Sequence, residues 1–380
     1  MTMPNHFATA LALGAIAASH AVAAAPPSPV PLPTSAPFVR ASGVYSIVGF
    51  RSFGVNASGA LDTPTGADLA DRADIGTILL NVTARDAKFS GAATIGGYAF
   101  PTVGSALNPT FQKAANASLY GALPLVDLAY APNANLTVAV GKFPSLLGPE
   151  NPFTYQNINI ERGLGWELEP TIVRGARLTY TNAAWSAAVE DDDGFYSGHL
   201  GTLSWTIAYA PSAATSLAFA AVTPPSGSGP NPTTSIANKS EYDIMYARKI
   251  GKWNLQPSLL FVRSPANASL NYIAEGRATV AGLLGSYAFS SHLSLGFRYE
   301  NARDASAPNA PGANADLLGF GPGSAAQTFT LTPAYRLGRC FVRLEIARIA
   351  LSAYRAGFGF GKAGDGNAQT RIGLELGVRS

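Results

Sequence analysis

Glu150, Glu161, Arg162, Glu167 and Glu169 crowd into one stretch of the chain, and Arg177 follows it closely. Acids and bases set opposite one another across a narrow aqueous gap impose a transverse field and a size limit on whatever passes, with no bond made or broken. Nothing else in the sequence offers a stronger chemistry. After residue 25 the only histidines are His199 and His292, each beside a turn and without the nucleophile and orienting group a catalytic base works with. The run Gly359–Gly364, "GFGKAG", has the spacing of a dinucleotide-binding glycine loop, but a strand-like segment follows where a helix would have to begin. Glu190–Gly194, "EDDDG", is acidic enough to attract calcium yet lacks the ligand spacing of a calcium loop, and reads as a strand end. Cys340 is the sole cysteine, which rules out an internal disulfide and a cysteine-rich metal site. The expectation is a protein with no enzymatic activity, no cofactor and no bound metal.

The acidic stretch interrupts a chain that otherwise alternates. Before it "NLTVAV", and after it "TIVRGARLTYT", place apolar and small or polar residues on opposite faces with the period of a strand. Further on, "HLSLGFRYEN" sets Leu293, Leu295, Phe297 and Tyr299 against Ser294, Gly296, Arg298 and Glu300. "TRIGLELGV" sets Ile372, Leu374, Leu376 and Val378 against Arg371, Gly373, Glu375 and Gly377. The apolar faces commonly end in aromatics (Tyr120, Tyr130, Tyr180, Trp185, Tyr209, Tyr335), the ring types that settle at a lipid–water boundary. Charged residues make up 13% of the chain, against a usual share of about 25%, so much of the outside need not face water. A net charge of +3, with its charges scattered, excludes nucleic acid as a partner.

About 16 strands are expected, beginning near Val44, Ile75, Ala87, Leu119, Leu136, Ile172, Ala184, Leu200, Thr215, Tyr242, Trp253, Thr279, Leu293, Thr328, Phe341 and Thr370. Every second connection is tiny, as in "RDAK", "TNAA", "GKW" and "LGR". Those between are long: 55–74, 100–115, 144–169, 191–199, 225–239, 264–276, 302–325 and 352–367. A soluble Greek-key sandwich does not sort its loops by parity, whereas an outer-membrane barrel has short periplasmic turns and long external loops. The predicted fold is all-β, a transmembrane antiparallel up-and-down β-barrel, which satisfies every backbone group in lipid by closure. Its polar faces then point inward, with Arg298, Glu300, Arg343, Glu345, Arg371 and Glu375 lining the lumen. The third long connection, 144–169, is expected to fold inward as a pore constriction carrying Glu150, Glu161, Arg162, Glu167 and Glu169 opposite Arg177. Upstream, "FATALALGAIAASHAVA" ends in Ala21-Val22-Ala23, so 1–23 reads as a signal peptide, 24–42 as a proline-rich linker and 43–380 as the barrel. No later stretch reaches the roughly 18 apolar residues of a membrane helix.

The segment "LTVAVGKFPSLLGPENPFTYQNINIERGLGWELEPTIVRGARLTY" resembles the signature region of the outer-membrane β-barrel porins of Gram-negative bacteria, the OmpL-like group. That pattern has a strand ending in Gly-Lys-Phe, a Gly and a Glu shortly after, a loop with Asn and Arg, then Pro and a Gly-x-Arg strand. It falls here on Gly141, Lys142, Phe143, Gly148, Glu150, Asn157, Arg162, Pro170, Gly175 and Arg177. The chain departs from the group in closing on "GVRS" instead of an aromatic residue, and in carrying "EDDDGFY" where an Asn-Gly-Trp type of segment often follows. The resemblance implies a porin-like channel and, by analogy with porins of this size, a homotrimer. The expected function is passive diffusion of small hydrophilic solutes or ions across the bacterial outer membrane, with outer-membrane lipid around the barrel. Two other readings stand beside it: a plugged outer-membrane barrel acting in adhesion or assembly, and a secreted soluble β-sandwich binding protein.

Overall fold

The computed structural model describes residues 37–54, 70–107, 110, 120–224, 239–267, 273–307, 316–361 and 363–380. The signal peptide expected at 1–23 and most of the linker expected at 24–42 lie outside the described residues. Among those described, the strands begin with β1 Phe38–Phe53, β2 Asp71–Asp86, β3 Phe89–Tyr98, β4 Leu125–Tyr130, β5 Leu136–Pro144 and β6 Ile172–Thr181. They continue as β7 Trp185–Asp192, β8 Thr202–Ser212, β9 Thr215–Thr223, β10 Ser240–Ile250 and β11 Trp253–Ser264. The last are β12 Gly276–Ala288, β13 Leu293–Asp304, β14 Ala325–Leu337, β15 Cys340–Ala353 and β16 Ala368–Arg379. Each pairs antiparallel with its neighbours in sequence, and β16 returns to β1, so the sheet is a closed barrel. The seam runs from Val44–Arg379 to Phe53–Thr370. At one end Ser380 N donates to Gly43 O at 2.9 Å while Gly43 N donates to Ser380 Oγ at 2.6 Å.

This is the up-and-down architecture that alternation and loop parity called for, and it removes the soluble sandwich. Two strand starts differ by six residues, the others by four or fewer. β1 begins at Phe38, inside the stretch read as linker, and β4 begins at Leu125 instead of Leu119. Tyr120 consequently leaves the outer belt and sits in the connection before β4, its ring 4.9 Å from that of Tyr196. The short connections are as tight as residues 251–252 and 338–339. Gly251 and Gly338 take φ of 58° and 57° there, the left-handed geometry that matches a two-residue turn to the strand twist.

Outward residues such as Ile47, Leu80, Val140, Phe219, Phe261 and Leu374 are exposed, as a lipid-facing belt requires. Near the short turns the belt ends in ring pairs across adjacent strands: Phe89–Tyr130 at 5.0 Å, Trp185–Tyr209 at 4.6 Å and Trp253–Tyr287 at 4.7 Å. The inner face is less polar than expected. In the strand halves next to the long loops, Val222, Leu260, Val262, Val280, Ile349 and Leu351 are buried in one cluster with Leu146, Leu147, Leu164 and Leu168 of the third long connection. Protein, not water, is the solvent of that half of the lumen, so apolar side chains are stable there.

Candidate constriction inside the barrel

β5 and β6 stay paired up to Pro144–Ile172, so the connection 145–171 leaves and re-enters the wall at one place. Gly141 and Gly175 face each other in that pair. A Cβ on Gly141 would run into the carbonyl of Val126, and one on Gly175 into the carbonyl of Asp191. Only glycine lets these strands approach so closely. Lys142 Nζ donates to the carbonyls of Tyr120 and Leu123 at 3.3 and 3.0 Å. Beyond Pro144 the connection holds a 3-10 turn, Thr154–Gln156, and a five-residue helix, Leu164–Leu168. Asn157 ties the turn together: its amide donates to Asn151 O at 2.8 Å and Phe153 O at 3.0 Å, and accepts from Asn151 N at 2.6 Å. Arg162 is fully buried, donates to the carbonyls of Asn151 and Pro152, and lies 5.3 and 5.2 Å from the rings of Phe100 and Trp166. Burial presses its guanidinium pKa down to about 9, against the pull of Glu150.

A connection with so little regular structure must find partners for its backbone elsewhere, and the inward side chains of β13, β15 and β16 supply them. Arg298 donates to Glu150 Oε1 at 3.0 Å and to Glu161 O at 2.6 Å. Glu300 accepts from Leu164 N and Gly165 N at 2.9 and 3.0 Å, at the start of the short helix. Glu345 accepts from Ile160 N and Glu161 N at 2.5 and 2.8 Å. Arg343 donates to Asn157 O and Thr154 O at 2.9 and 3.0 Å and pairs with Glu375 through Nε at 2.9 Å. Arg371 pairs with Glu161 and donates to Thr102 O and Ser105 O at 3.3 and 3.0 Å. Glu375 also accepts from Thr154 Oγ1 at 2.9 Å. All six wall residues named from the sequence are therefore engaged in interactions within the protein. Glu150 closes the set by accepting from Gly163 N at 2.7 Å. Burial lifts the Glu150 carboxyl above its usual range, and Arg298 works against that rise.

Arg177 does not join them. It pairs with Glu190 on the adjacent β7, donates to Pro144 O at 2.8 Å and lies 4.4 Å over the Phe143 ring, bracing the root of the connection. Glu190 lies one strand away on the same inward face, so it reaches Arg177 before any residue of the connection does. Glu167 is exposed on the short helix. Glu169 is buried against Gly148, and burial, then Asp243 and Glu241, hold its carboxyl well above the usual range. Gly148 has φ of 76°, and a Cβ there would overlap the Glu169 carboxylate. Gly148→Ala is expected to unseat this end of the connection and raise its cleavage by added protease several-fold. An unchanged cleavage rate would remove Gly148 from the seating. Asp243, which accepts from Gly148 N at 3.1 Å, and Lys239, which donates to Leu168 O, are contacts the sequence reading missed. The signal for Asp243 was present, since Tyr242 and Ile244 on either side face outward. Nothing in the sequence marked residues 101–107, which also enter the barrel. Arg162 N donates to Pro101 O at 2.9 Å and Val103 N to Arg162 O at 3.0 Å.

On the short-turn side of Asn151, Tyr155 and Asn157 lies a cavity of about 1450 Å³.

A family profile described as beta-barrel porin-2, OmpL-like, matches residues 39–379. Among solved structures, the outer membrane channel DcaP of Acinetobacter baumannii matches with a TM-score of 0.61 at 12% identity, over 92% of this chain and 99% of that one. The trimer form of OmpT, an outer membrane protein of Vibrio cholerae, gives 0.58 at 11% identity, over 91% and 100%. At these identities the likeness is one of fold. No curated protein matches the chain.

Proposed function

The chain belongs to the OmpL-like beta-barrel porin family, and on that premise we propose that it passes small hydrophilic solutes by passive diffusion, through a lumen narrowed by residues 145–171. Membership makes it a porin-type channel of the bacterial outer membrane. One observation carries the finer reading: a connection rooted between β5 and β6 is held by charged side chains of β13, β15 and β16, on the far side of the barrel. Such a strap divides the cross-section, and its fixed charges set a size limit and a transverse field. Glu150, Glu161 and Arg162 with Arg298 and Arg371 form the constriction in this reading, and Arg177 falls outside it. Transport by this route makes and breaks no bonds. A homotrimer is the assembly we favour, supported by the trimer form of OmpT, which shares the fold.

A plugged barrel is the second reading, favoured by the apolar packing of Leu146, Leu147, Leu164 and Leu168 in the outer half of the lumen. Planar-bilayer recording of the purified protein separates the two. Stepwise, steady conductance is the expected result; a bilayer that stays silent while the protein shows heat-modifiable gel migration would sink the diffusion reading.

A further inference from the structure

The sequence holds 26 basic and 23 acidic residues, a near balance that gives no sign of selectivity. The barrel does not distribute them evenly. The cavity on the short-turn side is lined by Lys249, Lys252, His292, Arg336, Arg343 and Arg379, and by no aspartate or glutamate among the described residues. Arg248 borders it too, on the strand parity of the outward Tyr242 and Ile244. Lys249 follows the inward Met245 and Ala247 along β10, and Arg336 follows the inward Thr330 and Thr332 along β14. Register brings Arg336, Arg343 and Arg379 to one corner, through the pairs Ala334–Arg343 and Phe341–Gly377 on β14, β15 and β16. Arg343 is neutralised by Glu375. Lys252, by contrast, donates to a neutral acceptor, the Phe289 carbonyl, at 3.2 Å. The acids of the constriction are buried and bonded above this chamber, leaving the wet space to the cations.

We propose that this chamber is an anion-collecting vestibule that makes the channel prefer small anions to cations. The inference rests on the channel reading. Charges of one sign on low-dielectric walls focus their field into the enclosed water and raise the local concentration of counter-ions. A cavity of this volume is about 14 Å across, comparable with the ~10 Å screening length at 0.1 M salt, so the field spans it. At 1 M salt that length falls to about 3 Å and the preference fades.

The test is the reversal potential of single channels under a KCl gradient at low salt. The wild-type protein is expected to give the sign set by faster passage of chloride. Lys249→Glu with Lys252→Glu moves the potential toward or past zero, while Lys249→Arg leaves it in place. Both lysines are exposed at the barrel end, and unchanged heat-modifiable migration certifies the fold of the variants. Conductance with a zero or cation-signed potential in the wild type overturns the inference and leaves the channel reading intact. So does a double variant whose potential matches the wild type. A silent bilayer overturns the channel reading and the inference with it.

Discussion

Replacing residues 146–170 by an Asn-Gly turn is expected to raise single-channel conductance several-fold while the barrel stays closed. The hairpin beneath the connection is already complete: β5 and β6 pair to Pro144–Ile172, and Ser145 N donates to Thr171 O at 3.2 Å. A two-residue turn of this type suits an antiparallel pair ending there. The wall loses its hydrogen bonds with Glu150, Ile160, Glu161 and Leu164, but Arg298, Glu300, Glu345 and Arg371 then meet water, which solvates them at no lasting cost. What remains is a 16-stranded wall whose lumen is entered by residues 101–107 but no longer crossed by the deleted segment, and a barrel of about that strand number is wide enough to conduct. The measurement is conductance per channel beside the wild type, with heat-modifiable migration as the control for folding. Equal conductance in the two would mean that ions never cross the segment, and the constriction would be abandoned.

Arg371→Ala is expected to release the connection from the wall without removing it. The substitution leaves the Glu161 carboxylate buried and unpaired, with only 1% of its residue surface exposed, and strips the Thr102 and Ser105 carbonyls of a donor. Removing one member of a buried ion pair typically costs about 3–5 kcal/mol. Here that energy bears on the seating of the connection, since β16 itself is held by the ladders of β15 and β1. Native-state proteolysis follows the equilibrium population of the open form, so cleavage within 145–171 should rise by about two to four orders of magnitude. Arg371→Met combined with Glu161→Leu removes both charges together and should recover most of the loss. A single variant cleaved as slowly as the wild type, or a double variant no better than the single, would show that the pair does not hold the segment.

The fold was legible because lipid imposes one solvent on the whole outer face. Ile372, Leu374 and Leu376 have to alternate with Arg371, Gly373 and Glu375 whatever happens inside, and the membrane sorts short turns from long loops. The site was legible only in part. Glu150, Glu161 and Arg162, and the wall residues from Arg298 to Glu375, could be named from composition and parity, but their pairing could not. Arg298 reaches across 137 positions to Glu161, and Arg371 across 210. No spacing rule spans such distances, whereas Arg177 found Glu190 only 13 residues away. The apolar inward stretch containing Leu260 and Val262 was opaque for a related reason: its solvent is the inserted connection, whose path the alternation does not encode.

The seam between β1 and β16 has a kinetic consequence. Every other ladder joins neighbours in sequence, but the bond from Gly43 to Ser380 spans 337 positions. Bringing such distant ends together costs about 3 kcal/mol more chain entropy than closing a ten-residue hairpin. Non-local contacts of this kind form slowly. Until they form, β1 and β16 are two open edges, whose unpaired backbone groups lipid cannot satisfy. The hairpins can assemble in any order, but the ring becomes a membrane-compatible object in one step, the last. Substitutions along Val44–Phe53 or Thr370–Arg379 therefore bear on how fast the barrel is completed more than those on any other pair of strands.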